Sequence, residues 1–345
     1  MKHLREHLIP DYMRAVVTGG AGFLGSHLCE ALLLDFNEIC VIDDMFRGKQ
    51  KNLENCKSSA TEMGIPFHIV MKDASNPESY EIALRRLGGS VDVVYHLAAI
   101  NGTRWFHERP ELVVKINHNT LDSALNFAAS QGARFIFTSS PEVWGEQTNM
   151  PLDNQSSSVF TPPQLHQRHS YGASKYIGEL LVHHAIRTHS IDARIVRPFN
   201  SYGPRLPGDT HGQVVSMLLE KCLSDEPMEI HGNGDQTRCF TWVEDVVRGI
   251  KLAGELDIGL DGSELSGQSF NLGSTVETSI LELVNMCAET SGSSIPPITT
   301  KAHPGDAQRR LPDISTSRQA LGWDVEVSLK EGIRRTWAWM KNGKN

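Results

Sequence analysis

The stretch Ala15 to Leu34, AVVTGGAGFLGSHLCEALLL, constrains this chain most. A β-branched run gives way to glycines at 19, 22 and 25, and then to a pattern that puts Leu24, Leu28, Ala31 and Leu32 on one helical face. This reads as a strand, a tight turn and a helix. Gly19 can take the turn's unusual backbone angles, Gly22 leaves room for a pyrophosphate, and Gly25 lets the helix sit close on the strand. Phosphates would then rest on the unpaired N–H groups at Phe23, Leu24 and Gly25. A second apolar run, EICVID, ends in Asp43 about 20 residues downstream, where a carboxylate can hold an adenosine ribose. The chain is therefore expected to bind a dinucleotide, and a carboxylate there repels a 2′-phosphate, which favours NAD over NADP. Asp44 adds a second negative charge, while Arg47 and Lys49 just beyond could still accommodate a phosphate.

Further apolar runs recur at Phe67 to Met71, Val91 to Leu97, Phe135 to Phe137 and Ala193 to Val196, with helical patterns between most of them. Such alternation implies a parallel sheet covered by helices on both faces. The expected fold is α/β, a Rossmann-type doubly wound sheet with a smaller C-terminal lobe. Residues 13–196 plus about 237–265 are assigned to the first and about 197–236 plus 266–345 to the second, after an arm over 1–12. Glu146 to Ser170 lacks periodicity, and a loop that long in a compact domain is usually functional. Asp73, ending the third strand, reads equally as an adenine contact or as a helix cap.

Composition excludes several functions. A net charge of -8 suits no long polyanion. No apolar run reaches the length of a bilayer span and the N-terminus carries no signal-peptide core, so a cytoplasmic protein is expected. The six cysteines show no C-x-x-C spacing and read as reduced, buried side chains. His183 with His184, and His166 with His169, lack the i, i+4 helix spacing of a zinc pair, so no metal is expected.

In SYGASK, Tyr171 and Lys175 stand one helical turn apart and share a face. For Tyr171 to act as a base near pH 7, its ordinary value near ~10 must fall by roughly 3, which takes about 4 kcal/mol of preferential phenolate stabilisation. An ammonium at Lys175 and a positively charged nicotinamide could supply it in a poorly hydrated cleft. Hydroxyls at Ser139 and Ser140 end the preceding strand.

TGGAGFLGSH, HLAA (His96 to Ala99), TSSPEVWG, SYGASK, RPFNSYGPR and GDQTRCFTWVEDVV together resemble the nucleotide-sugar epimerase/dehydratase branch of the extended short-chain dehydrogenase/reductase superfamily, from Val16 to about Asp313. The resemblance implies a nucleoside-diphosphate sugar substrate, tightly held NAD and a homodimer through a four-helix bundle. It implies that Ser140, Tyr171 and Lys175 act on a sugar hydroxyl, and that Gly48, Leu97, Ala98, Ala99 and Pro198 border the cofactor. Asn200, Arg205, Arg238 and Arg310 match substrate-binding positions. Departures exist: Trp144 replaces a usual tyrosine, Pro141 stands where 4,6-dehydratases place an acidic proton donor, and Glu142 matches both their base and the glutamate of UDP-glucuronate decarboxylases. Arg104 falls where uronate 4-epimerases carry an arginine. The implied activity is transient C4 oxidation by hydride transfer to NAD followed by re-reduction, an epimerase. Dehydratase and decarboxylase chemistry through Glu142 are alternatives, as is a non-catalytic NAD-binding regulator.

Overall fold

A computed structural model describes residues 13–208, 212–301, 305 and 307–343, so the expected arm over 1–12 lies outside the described residues. Seven parallel strands form the central sheet: β1 (Arg14–Thr18), β2 (Glu38–Ile42), β3 (Phe67–Val70), β4 (Val93–His96), β5 (Arg134–Thr138), β6 (Ala193–Pro198) and β8 (Ser269–Leu272), with β7 (Glu229–His231) outside it. Their order is β8-β6-β5-β4-β1-β2-β3. Register is fixed by the buried apolar runs: Val16 pairs with Cys40 on one side and with Val94 on the other. The strand order reverses between β1 and β4, the point at which an open α/β sheet leaves a crevice beyond its carboxyl ends.

Helices cover both faces. Helix α1 (Phe23–Leu32), α2 (Glu54–Met63) and α8 (Val243–Glu255) bury Leu28, Cys56 and Val246 in one apolar cluster. On the other face, α3 (Pro77–Arg86), α5 (Pro110–Gln131) and α6 (Ser170–His189) contribute Ala83, Ala124 and Val182. The short α4 (Thr103–Glu108) leads into α5.

β8 corrects one expected boundary, since it closes the sheet beside β6 although it lies beyond residue 266. The remaining C-terminal elements include α7 (Val214–Leu223), the parallel pair β7 (Glu229–His231) and β9 (Ile298–Thr300), α9 (Ile280–Ser291) and α10 (Leu329–Asn342). Leu218, Leu283 and Ile333 from these helices join the same apolar cluster as Leu28, so this lobe shares a core with the sheet. No helix among the described residues is long and apolar enough to cross a membrane.

Candidate active site

A cleft of about 1330 Å³ opens over the carboxyl ends of the strands and is lined from β1 to β6 and from the C-terminal lobe. Its cofactor half is built by the first turn. Gly19 has φ +71°, a left-handed value that disfavours any side chain, and a Cβ there would lie 2.7 Å from the Ala98 nitrogen. A Cβ on Gly25 would come within 2.2 Å of the Gly19 carbonyl oxygen. The helix therefore presses directly on the turn, and its N-cap, Gly22, offers no side-chain acceptor to the first N–H groups. An incoming phosphate can take that role.

Asp43 is buried at the end of β2. Its Oδ2 accepts the Ala21 N–H at 2.9 Å and its Oδ1 accepts the Met45 N–H at 2.8 Å. Burial pushes its pKa up, and those two hydrogen bonds oppose the rise. Gly48 packs so closely on this carboxylate that a Cβ would sit 2.7 Å from Oδ1. Asp44 is exposed, and it accepts the Phe46 N–H. Asp73 accepts the Ser75 N–H at 2.7 Å and lines the cleft, while the cap of α3 is Asn76, whose side chain accepts from Glu78. Leu97, Ala98, Ala99 and Pro198 complete this wall.

The chemical half gathers on β5 and α6. Lys175 Nζ donates to the Thr138 carbonyl at 2.7 Å and lies 4.9 Å from the Phe137 ring centroid. Burial lowers it to about 7, Glu179 opposing. Burial also raises the Tyr171 phenol well above its ordinary value, against a hydrogen bond with Ser140. The expected depression of Tyr171 is thus not produced by protein groups alone. A buried, poorly hydrated pair resists carrying either charge. Ser139 is spent on Glu179, donating at 2.5 Å, which leaves Ser140 as the hydroxyl beside Tyr171. The Phe106 ring stacks on Tyr171 at 5.0 Å and 12° and fixes its plane.

Ser140 caps the single turn Pro141–Trp144 and accepts the Glu142 N–H. Proline suits that first position because its missing N–H has no helical partner there. Trp144 is buried against Phe199, with the Arg197 guanidinium 4.8 Å from its ring, so the tyrosine-to-tryptophan departure stiffens this corner. Burial would raise the Glu142 carboxyl, but Arg168, Arg310, Arg238 and His169 together hold it down at about 2. Arg168 donates to it at 3.1 Å, and Arg310 lies 3.8 Å away.

The structure brings Asn200, Arg238 and Arg104 to the cleft wall. Arg104 also donates to Glu108 at 2.6 Å on the half-exposed face of α4. Two of the arginines lie elsewhere. Arg205 pairs with Glu30 of α1 at 2.6 Å, outside the cleft lining, because the turn at 203–206 folds back on α1. Arg310 is 2% exposed and sits behind Glu142, where it donates to the Gly145 carbonyl rather than facing the cleft. Arg168 was not legible as a site residue, although a cation three positions ahead of Tyr171 in RHSY was the available signal. The fold also unites Glu146, His166 and His169, whose ligand atoms lie within 4.8 Å of one another. The expectation of no metal considered neighbours along one helix, and these three converge from a loop instead.

A model of the NAD-dependent epimerase/dehydratase family matches residues 15–273. The chain is 33% identical over 327 residues to UDP-glucuronic acid decarboxylase 1 of Arabidopsis thaliana, covering 94% of this chain and 68% of that protein. It is also 33% identical over 324 residues to decarboxylase 3 of the same plant, covering 93% and 87%. Among solved structures, the UDP-glucuronic acid 4-epimerase of Bacillus cereus, crystallised with UDP-glucuronic acid and NAD, superposes with a TM-score of 0.81 at 29% identity, over 96% of this chain and 99% of that one. The UDP-glucose 4-epimerase of Thermotoga maritima gives 0.84 at 26%, over 96% and 100%. The glycine cradle, the anchored Asp43 and the Tyr171–Lys175 pair fit NAD as cofactor, and this chain belongs to the NAD-dependent epimerase/dehydratase family of enzymes.

Proposed function

We propose that the protein is an epimerase that oxidises C4 of a nucleoside-diphosphate-linked uronate and re-reduces it on the other face. The observation that carries this reading is the pairing of the Glu142 carboxylate with Arg168 at 3.1 Å and Arg310 at 3.8 Å, which holds its pKa well below the ordinary carboxylate value. A carboxylate that acidic is a poor base for the C5 proton whose removal a dehydration needs, because base strength falls with pKa. Pro141 supplies no proton donor either. Bound NAD supplies the hydride acceptor and donor. Tyr171 takes the C4 hydroxyl proton, Ser140 orients that hydroxyl, and Lys175 stabilises the phenolate. A 4-keto uronate is a β-keto acid and loses carbon dioxide readily once its carboxylate is desolvated. Arg238 on the cleft wall supports retention instead, by offering a substrate carboxylate an ion pair.

The relatives named as UDP-glucuronic acid decarboxylases favour a second reading, in which the same oxidation is followed by that loss. Incubation with UDP-glucuronic and UDP-galacturonic acid, read by mass spectrometry, separates the outcomes. A product of unchanged mass and altered retention is expected. Loss of carbon dioxide assigns the decarboxylase, and loss of water assigns Glu142 to base catalysis. The protein is further proposed to act as a homodimer, supported by exposed Tyr176, Ile177 and Leu180 on α6 beside Val114 on α5. Sedimentation of Leu180→Asp should show a monomer.

A further inference from the structure

We propose that Glu146, His166 and His169 form a site for an exchangeable transition-metal dication, with zinc as the best-suited ion. None of the three lines the cofactor cleft. Nε2 of His169 lies 2.8 Å from Oε1 of Glu146, and Nε2 of His166 lies 3.3 Å from the same oxygen. The Thr161 hydroxyl donates to that oxygen as well, at 2.5 Å. Two imidazole nitrogens and a hydroxyl thus crowd one carboxylate oxygen, which offers two lone pairs. The three side chains converge on a single point, a packing that hydrogen bonding to that one oxygen alone accounts for badly.

A single cation on the converging lone pairs accounts for it better. Zinc with bonds of ~2.0–2.2 Å in a tetrahedron sets its ligand atoms about 3.4 Å apart. The His166–Glu146 separation already has that value, and His169 needs to retreat by only about half an ångström. Two imidazoles and one carboxylate select zinc and its neighbours over magnesium or calcium, which prefer all-oxygen shells. Three protein ligands leave a fourth position for water or for the Thr161 hydroxyl. The Glu146 side chain is 34% exposed, so the ion can exchange with solvent.

Position gives the site its consequence. Glu146 follows Gly145, whose carbonyl holds Arg310 behind Glu142, and His169 is the N-cap of the helix that carries Tyr171. The ion would staple the Glu142 turn to the start of α6, as a positioning element that touches no reacting atom.

The test uses the full chain stripped of metal by chelation. Zinc chloride is titrated by calorimetry, and cobalt(II) chloride serves as a spectroscopic probe. One equivalent of zinc is expected to bind with micromolar or tighter affinity and raise the thermal midpoint, and cobalt is expected to give the intense visible bands of a tetrahedral imidazole-bound ion. His166→Ala and His169→Ala should each weaken zinc by roughly tenfold or more, whereas His183→Gln, an exposed histidine elsewhere on α6, should not. Glu146→Gln, nearly isosteric, provides a second variant, with retained NAD binding as the check of folding. Absence of stoichiometric binding overturns the proposal, as does binding that survives both histidine replacements.

Discussion

The two halves of the cleft are built in opposite ways. In the cofactor half, the residues that matter lie close in sequence and satisfy one another through backbone: the Gly19 turn, the N-terminus of α1 and the Asp43 carboxylate that ties Ala21 to Met45. In the chemical half, Glu142, Arg168, Arg238 and Arg310 converge from four distant segments and hold one another through charge. Backbone geometry tolerates changes of surface charge, whereas a buried ion cluster fails when one member is removed, because the remaining charges lose their compensation. Changes of charge should therefore act gradually in the cofactor half and abruptly in the chemical half.

The largest contrast is expected from Tyr171→Phe. It removes one oxygen while keeping the ring stacked on Phe106, so the thermal midpoint should move by only a few degrees. Product formation should fall by roughly 10²- to 10⁴-fold, the ordinary worth of a positioned acid/base group, with NAD affinity retained. Turnover within tenfold of the parent would move the base elsewhere, with Ser140 as the first alternative.

Glu142→Gln probes the ion cluster by leaving Arg168 and Arg310 uncompensated. Breaking a buried pair from one side costs about 3–5 kcal/mol, measurable as a lowered urea midpoint at neutral pH. The sign with pH follows from its direction. Its folded value of about 2 lies below the ordinary 4.5, so its contribution is complete above 4.5 and is lost as pH falls toward 2. The parent protein should lose stability across that window, and the variant's profile there should be flatter. Parallel profiles would show that the arginines find other partners.

The same contrast explains what could be read from the sequence. The sheet, the dinucleotide turn, Asp43 and the Tyr171–Lys175 pair were legible because each is encoded by local spacing: glycines three apart, an apolar run ending in a carboxylate, a helical turn between two side chains. Arg168 was not legible, nor were Arg310's burial and the pairing of Arg205 with Glu30, because each depends on which distant segments the fold brings together. The depth of burial around Tyr171 and Lys175 was hidden for a related reason. Spacing places an ammonium nearby, but the sequence does not show how fully burial suppresses both charges. The Glu146, His166 and His169 cluster, gathered by a loop of no period, was equally hidden.

Within the cofactor half, Asp43→Asn should act gradually. The amide keeps an acceptor for one backbone N–H but surrenders the charge offered to the ribose. A hydrogen bond to a charged group contributes about 1.5–3 kcal/mol, so NAD affinity measured by calorimetry should weaken by roughly ten- to a hundredfold. NADP should gain relative to NAD as repulsion of the 2′-phosphate disappears. An unchanged preference would assign the discrimination to Asp44.

The smallest effect is expected at Arg205, and it tests the edge between the two halves. Its guanidinium donates to Glu30 and to Ser26 on α1, so the turn at 203–206 is fastened to the cofactor side even though its residues follow β6 toward the substrate lobe. The pair is partly exposed, and such pairs contribute about 0–1 kcal/mol. Arg205→Gln should accordingly shift the thermal midpoint only slightly and leave the KM for a nucleotide sugar unchanged, since the side chain lies outside the cleft lining. A KM raised tenfold with kcat preserved would mean that the guanidinium leaves Glu30 to meet the substrate diphosphate. Arg205 would then belong to the half of the site that is held by charge, and the fastening seen on α1 would be one of two positions of this turn.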